Sequence, residues 1–124
     1  SINCPLTDST HHMIGAQQLK WLGADGYIVN TSRGEVIDEV ALAAALKAGH
    51  IAGAGLDVYE QEPVINPELL ELPNVILAPH IGSATVESRQ EMGEKVMINI
   101  RAMIDAHMPP DRVLPPHTKY PNAS

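Results

Sequence analysis

Three short, unbroken apolar runs set the strongest limit on what this chain can fold into: Tyr27-Ile28-Val29, Ala54 to Val58, and Val75-Ile76-Leu77-Ala78. Helix signals alternate with them. Thr10 is placed to cap a helix over about 11–22, with Gly23 as its stop. Asp38 is placed to cap a second helix over 39–48, ended by Gly49. Asn66-Pro67 is an N-cap followed by proline at the first helical position, opening a short turn through Leu70. A long helix is expected over 85–107, with Val96, Ile100, Met103 and His107 on one face. Continuous apolar strands between helices are the mark of a parallel sheet covered on both faces. The expected fold class is therefore α/β, of the doubly wound, Rossmann-type kind.

The 124 residues suffice for one domain with a core. Only 3% are aromatic and there is no Phe, so the core must rest on small aliphatic side chains. Met92, Met97 and Met103 read as core filler on the long helix, and Glu91 with Lys95 as a solvated i, i+4 pair. The net charge of −7 argues against nucleic acid or an anionic membrane as partner, while leaving room for a small anion in a local cationic pocket. No apolar run is long enough to span a bilayer. Cys4 is the only cysteine, which excludes an intrachain disulfide and fits a reducing, cytoplasmic setting. No metal is implied, because His11 and His12 are adjacent and point apart on a helix. The chain opens without Met in what reads as the end of a strand, so a piece of a longer protein is expected. The five prolines beyond Met108 predict an extended or disordered tail over 108–124 after a domain over 1–107.

In open parallel sheets, ligands sit beyond the carboxyl ends of the strands. The three runs lead into Asn30-Thr31-Ser32-Arg33-Gly34, Tyr59-Glu60-Gln61-Glu62-Pro63 and Pro79-His80-Ile81-Gly82-Ser83. A cation, an acid and an imidazole thus converge on one edge. That set suits carbonyl reduction. A guanidinium grips a carboxylate in bidentate fashion. An imidazole exchanges a proton with the reacting oxygen, and a neighbouring carboxylate orients and stabilises it. Alone, His80 would more often be a structural histidine, Arg33 a surface ion-pair partner, and Asp57 an acceptor for loop amides. Convergence at the strand ends is what favours a site.

These segments also carry a resemblance. Asn30-Thr31-Ser32-Arg33-Gly34 with Val36, Asp38 and Leu42, then Gly55-Leu56-Asp57-Val58 leading to Glu62-Pro63, then Pro79-His80-Ile81-Gly82-Ser83-Ala84-Thr85, resemble the motifs of D-isomer-specific 2-hydroxyacid dehydrogenases. Cys4-Pro5-Leu6-Thr7 with Thr10 resembles an earlier motif of the same family. The resemblance runs from about residue 2 to 101. It implies the second half of a dinucleotide-binding domain, with Arg33 on the substrate carboxylate and Glu62 supporting a catalytic His80. It further implies NAD or NADP as cofactor, with Asp57 meeting the nicotinamide carboxamide. Cys4, Pro5, Thr10, Thr31, Ser32, Gly82 and Ser83 would line the dinucleotide. Related formate dehydrogenases carry Gln where Glu62 stands, so the resemblance points to small 2-oxo and 2-hydroxy acids. The wording is most similar to the glyoxylate and hydroxypyruvate reductase branch, and a homodimer is expected for the whole enzyme.

Two required parts are absent from the sequence. There is no Gly-x-Gly-x-x-Gly turn for a pyrophosphate, since Gly53-Ala54-Gly55 enters a strand instead of leaving one, and no acidic residue placed for the adenosine ribose. By itself the chain is expected to be inactive. The other readings are a dinucleotide-responsive binding module of corepressor type and a proteolytic product without a separate role.

Overall fold

The computed structural model describes residues 1–113, which fall into two compact units, Ser1–Gly82 and a second beginning at Ser83. The first unit runs α1 (Ala16–Leu22), β1 (Tyr27–Asn30), a 3-10 turn (Gly34–Val36), α2 (Glu39–Lys47), β2 (Gly53–Leu56), α3 (Pro67–Leu70) and β3 (Val75–Leu77). The second unit holds α4 (Val86–Ile104).

The strands pair in parallel in the order β1-β2-β3. Ile28 lies opposite Ala54 and Ala54 opposite Val75; Asn30 lies opposite Leu56 and Leu56 opposite Leu77. Ile2 adds a single bridge outside β1, its N–H donating to Val29 O at 2.9 Å. Because strand side chains alternate, this register sorts them by face. Ile28, Asn30, Ala54 and Leu56 are buried on one face, with Val75 and Leu77 packed against the same core. Leu19 of α1, Leu42 and Leu46 of α2, Leu69 of α3 and the loop residues Ile37 and Ile51 complete that core. Burying each such side chain is worth about 1.5–3 kcal/mol. The other face carries exposed Tyr27, Val29 and Ile76. The expected sheet covered on both sides is thus covered on one within the first unit, because the elements that pack there all follow the Ile28–Leu56 face.

Two helix expectations change in detail. Thr10 caps no helix. Its hydroxyl donates to Pro5 O at 2.8 Å and accepts from Thr7 N at 2.7 Å, closing a turn. Backbone bonds then hold the chain away from a helical path: His12 N donates to Glu35 O and Ile14 N to Val36 O, with His12 at φ 49. α1 starts only after Gly15, whose N–H is taken by the Gln18 side chain. Asp38 does cap α2, accepting from Ala41 N at 2.9 Å, and Asn66 caps α3 through Glu68 N.

The second unit departs further from expectation. α4 is capped by Thr85 through Ser88 N, yet it buries no residue. Val96, Ile100 and the three methionines Met92, Met97 and Met103 are exposed instead of filling a core. Among the described residues, this unit contains no second helix or strand to cover them. Lys95 pairs with Asp111 at 3.2 Å, not with Glu91. Asp111 also takes the Asn99 amide, while its N–H donates to Asn99 Oδ1. The start of the proline-rich segment is therefore a turn bonded back onto α4. The Asn99 amide and the Lys95 ammonium hold the Asp111 carboxyl below its usual range. The expected extended tail beyond Val113 lies outside the described residues.

The Asp38 cap is open to a direct check. Asp38→Ala leaves the first N–H groups of α2 without this acceptor and is expected to lower stability by about 1 kcal/mol, read as a lower urea midpoint with an unchanged m-value.

Candidate active site

Each strand end is turned by a short polar device that aims the following side chain. After β1, Asn30 is buried and its side chain organises the loop. Its Oδ1 accepts from Ser32 N at 3.0 Å and from the Ser32 hydroxyl at 2.9 Å, and its Nδ2 donates to Arg33 O at 2.9 Å. Arg33 emerges exposed, with Nη1 donating back to Ser32 O at 2.6 Å. Gly34 then passes so close to the loop after β2 that an added Cβ would lie 1.9 Å from Tyr59 C and 2.4 Å from Glu60 N. Both neighbours are backbone and cannot yield, so only glycine permits this approach.

After β2, the chain turns through Asp57 to Glu62. Glu62 Oε1 accepts from Tyr59 N at 3.1 Å, and Glu62 Oε2 meets His80 Nδ1 at 2.8 Å. The His80 hydrogen bond and then the Tyr59 N–H hold the Glu62 carboxyl below its usual range, with Arg33 adding a smaller pull. With Nδ1 engaged by Glu62, Nε2 is the ring nitrogen left to meet a substrate. After β3, His80 adopts φ 53, a left-handed conformation that costs a non-glycine residue energy. The loop is pinned on its far side by Asp57, whose Oδ1 accepts from Ile81 N at 2.8 Å and whose Oδ2 accepts from Gly82 N at 2.7 Å. A Cβ on Gly82 would meet that same Oδ2 at 3.0 Å. Arg33, Glu62 and His80 share one open cleft of about 360 Å³, lined also by Gly34, Glu35 and Gln61.

A further cluster braces this edge. His12 Nε2 meets Glu60 Oε1 at 2.7 Å, and Glu60 N donates to Glu39 Oε1 at 2.6 Å. Glu39 is buried, and burial raises its carboxyl above the usual range. The cluster ties the 7–14 turn and the start of α2 to the loop that carries Glu62.

Of the residues expected to contact a dinucleotide, Asp57 has both carboxylate oxygens occupied by backbone amides, though each oxygen keeps a second lone pair. Ser32 is bonded to Asn30 and Thr10 to its own turn. Thr31 and Pro5 are exposed, and Cys4 is half-buried against the core. Gly82 serves the Asp57 bond, whereas Ser83 belongs to the second unit and lines a shallow cleft there with Ser88 and Met92. Thr31 and the Pro5-Leu6 surface are thus left accessible to a ligand. Among the described residues, no glycine-rich turn leads from a strand into a helix as a pyrophosphate site would need. Sequence reasoning left Asn30, Tyr59 and the Glu39–Glu60–His12 cluster without roles. An Asn at a strand end with Ser two residues on is a legible turn signal. The other two depend on contacts across long sequence separations and leave no local sign.

A parallel sheet with a cation, an acid and an imidazole at its carboxyl edge is the arrangement of a Rossmann-type domain with a ligand site beyond its strand ends. The family model for the D-isomer specific 2-hydroxyacid dehydrogenase NAD-binding domain matches residues 1–82, and the chain belongs to that family. Over 113 residues it is 53% identical to a glyoxylate reductase of Thermococcus litoralis, covering 91% of this chain and 34% of that protein. A glyoxylate reductase of Korarchaeum cryptofilum is 51% identical over 114 residues, covering 91% and 34%. Among solved structures, an NADPH-dependent glyoxylate/hydroxypyruvate reductase of Sinorhizobium meliloti, in complex with NADP and malonate, superposes with a TM-score of 0.76 at 46% identity, over 79% of this chain and 31% of that one. A 2-hydroxyacid dehydrogenase of Ketogulonicigenium vulgare gives 0.85 at 37% identity, over 93% and 36%. The chain therefore spans about a third of the length of these relatives.

Two outcomes follow from the geometry. Gly34→Ala is expected to destabilise the first unit by more than the 0.5–1 kcal/mol that helix propensity alone could return, measured by thermal unfolding. For Glu62, the folded carboxyl titrates below its ordinary value of 4.5. Its contribution to stability is full above that value and is lost as pH falls through the lowered one. Glu62→Gln should remove this part of the acid dependence in a pH series of urea midpoints.

Proposed function

We propose that this chain is the second half of the cofactor domain of an NAD(P)-dependent oxidoreductase acting on a small 2-oxo or 2-hydroxy acid, with glyoxylate or hydroxypyruvate as substrate. The observation that carries the reading is the 2.8 Å contact between Glu62 and His80 in the cleft shared with Arg33. The relatives named glyoxylate reductase support the choice of substrate.

In reduction, Arg33 holds the substrate carboxylate and fixes the oxo group beside His80. The imidazolium gives its Nε2 proton to the carbonyl oxygen, which becomes the hydroxyl. Glu62, bonded at Nδ1, fixes the tautomer and stabilises the charged ring before transfer. When bound, a nicotinamide would supply the hydride for the carbonyl carbon. Asp57, Thr31 and the Cys4-Pro5-Leu6 turn are the groups that would hold its nicotinamide end. Oxidation runs the same proton path in reverse.

The lone Cys4 supports a cytoplasmic setting. Exposed Val96, Met97 and Ile100 on α4 support association in the complete enzyme, read here as a homodimer. Among the described residues, no helix is long and apolar enough to cross a membrane.

The test assays NADH- and NADPH-dependent reduction of glyoxylate and hydroxypyruvate by the complete gene product. His80→Ala should lower kcat by about 10²–10⁴-fold, and Arg33→Ala should raise KM as well as lower kcat, both with circular dichroism unchanged. The 124-residue chain alone should give no turnover. Dinucleotide binding without reduction of any small oxo acid would overturn the reading.

A further inference from the structure

Tyr59 has no part in the proton path, yet it bonds to one half of the pair that does and to the chain two residues before the other. Its backbone N–H donates to Glu62 Oε1 at 3.1 Å. Its side chain is buried, 5% exposed, and runs to the other side of the loop. There the hydroxyl donates to Ala78 O at 2.7 Å and lies 3.3 Å from Leu56 O. Leu56 O also accepts from Ala78 N at 2.8 Å. One residue therefore fixes the acid directly and the backbone two positions before His80.

The need for such a tie lies in His80 itself. A histidine at φ 53 persists only where its surroundings over-determine it. On the C-terminal side the Asp57 carboxylate supplies two bonds, to Ile81 N and Gly82 N. On the N-terminal side Ala78 O is held by the Tyr59 hydroxyl. Burial raises the Tyr59 hydroxyl above its usual range, so it is a protonated donor at neutral pH.

We propose that Tyr59 is a positioning residue, whose hydroxyl sets the spacing of Glu62 and His80 by tying the loop after β2 to the end of β3. The inference rests on reading that pair as the acid–base machinery. Its test does not, because it reads geometry without turnover.

The probe is the Glu62 carboxyl, followed by carbon-13 NMR titration in the 124-residue chain. In the unaltered chain Glu62 should titrate below its ordinary value, as the His80 contact requires. Tyr59→Phe keeps the buried ring and removes only the hydroxyl. It should move the Glu62 titration up toward the ordinary value. Ile51→Val, a core change away from the pair, should lower the melting temperature and leave Glu62 where it was. If Tyr59→Phe lowers the melting temperature while Glu62 does not move, Tyr59 is a packing residue only and the proposal fails. If Tyr59→Phe does not fold, the unaltered chain decides the matter through exchange of the Tyr59 hydroxyl proton. Slow exchange that quickens as Glu62 is protonated supports the shared frame; exchange indifferent to that titration overturns it.

Discussion

The backbone of Gly34 lies against the backbone of Tyr59 and Glu60, with no room for a Cβ between them. That approach brings the loop after β1 onto the loop after β2, and the cleft depends on it. Arg33 precedes the glycine by one residue and Glu62 follows the contacted pair by two. Moving the two backbones apart by the width of a methyl group would separate the guanidinium from the carboxylate. The approach is possible because β1 and β2 are parallel and in register, so that both end at the same level. Asn30, buried at the last position of β1, then folds the outgoing chain back through Ser32 and Arg33.

The third strand completes the arrangement through hydrogen bonds and not through a rigid element. β3 has only three residues, and the catalytic candidate lies three positions beyond it in a strained conformation. What holds His80 comes almost entirely from the loop after β2: Asp57 on one side, Tyr59 on the other and Glu62 on the ring. A single segment of the sequence thus supplies both the partner of the imidazole and the frame around it. The bonds of Asp57 to Ile81 N and Gly82 N and of the Tyr59 hydroxyl to Ala78 O are 2.7–2.8 Å and partly buried, conditions under which a hydrogen bond is costly to lose, whereas the Glu62–His80 contact is open to solvent.

The two units differ in how they meet the requirements of a folded chain. The first buries a continuous aliphatic core on one face of its sheet and leaves Tyr27, Val29 and Ile76 bare on the other. The second consists, in its described part, of one helix and a turn bonded to it through Asp111. Helix α4 has caps and an apolar stripe, and it covers none of it. An exposed apolar stripe of this kind marks an interaction surface, and the chain spans about a third of the length of its relatives.

The parallel α/β class, the caps at Asp38 and Asn66, and the convergence of Arg33, Glu62 and His80 were all readable in the sequence, whereas Thr85, read as the first residue of the long helix, is its cap. Each depends on local patterning: apolar runs, an oxygen side chain before a helix, and polar residues at strand ends. The start of α1 was misjudged because backbone bonds from His12 and Ile14 to Glu35 and Val36, more than twenty residues away, override the Thr10 capping signal. The methionines of α4 were misjudged because periodicity shows which face is apolar, not whether anything covers it. The double duty of Asp57, the hidden tie of Tyr59 and the brace of His12 on Glu60 and Glu39 were decided by tertiary structure alone. They join residues far apart in the chain, and only folding sets the distances on which a hydrogen bond depends.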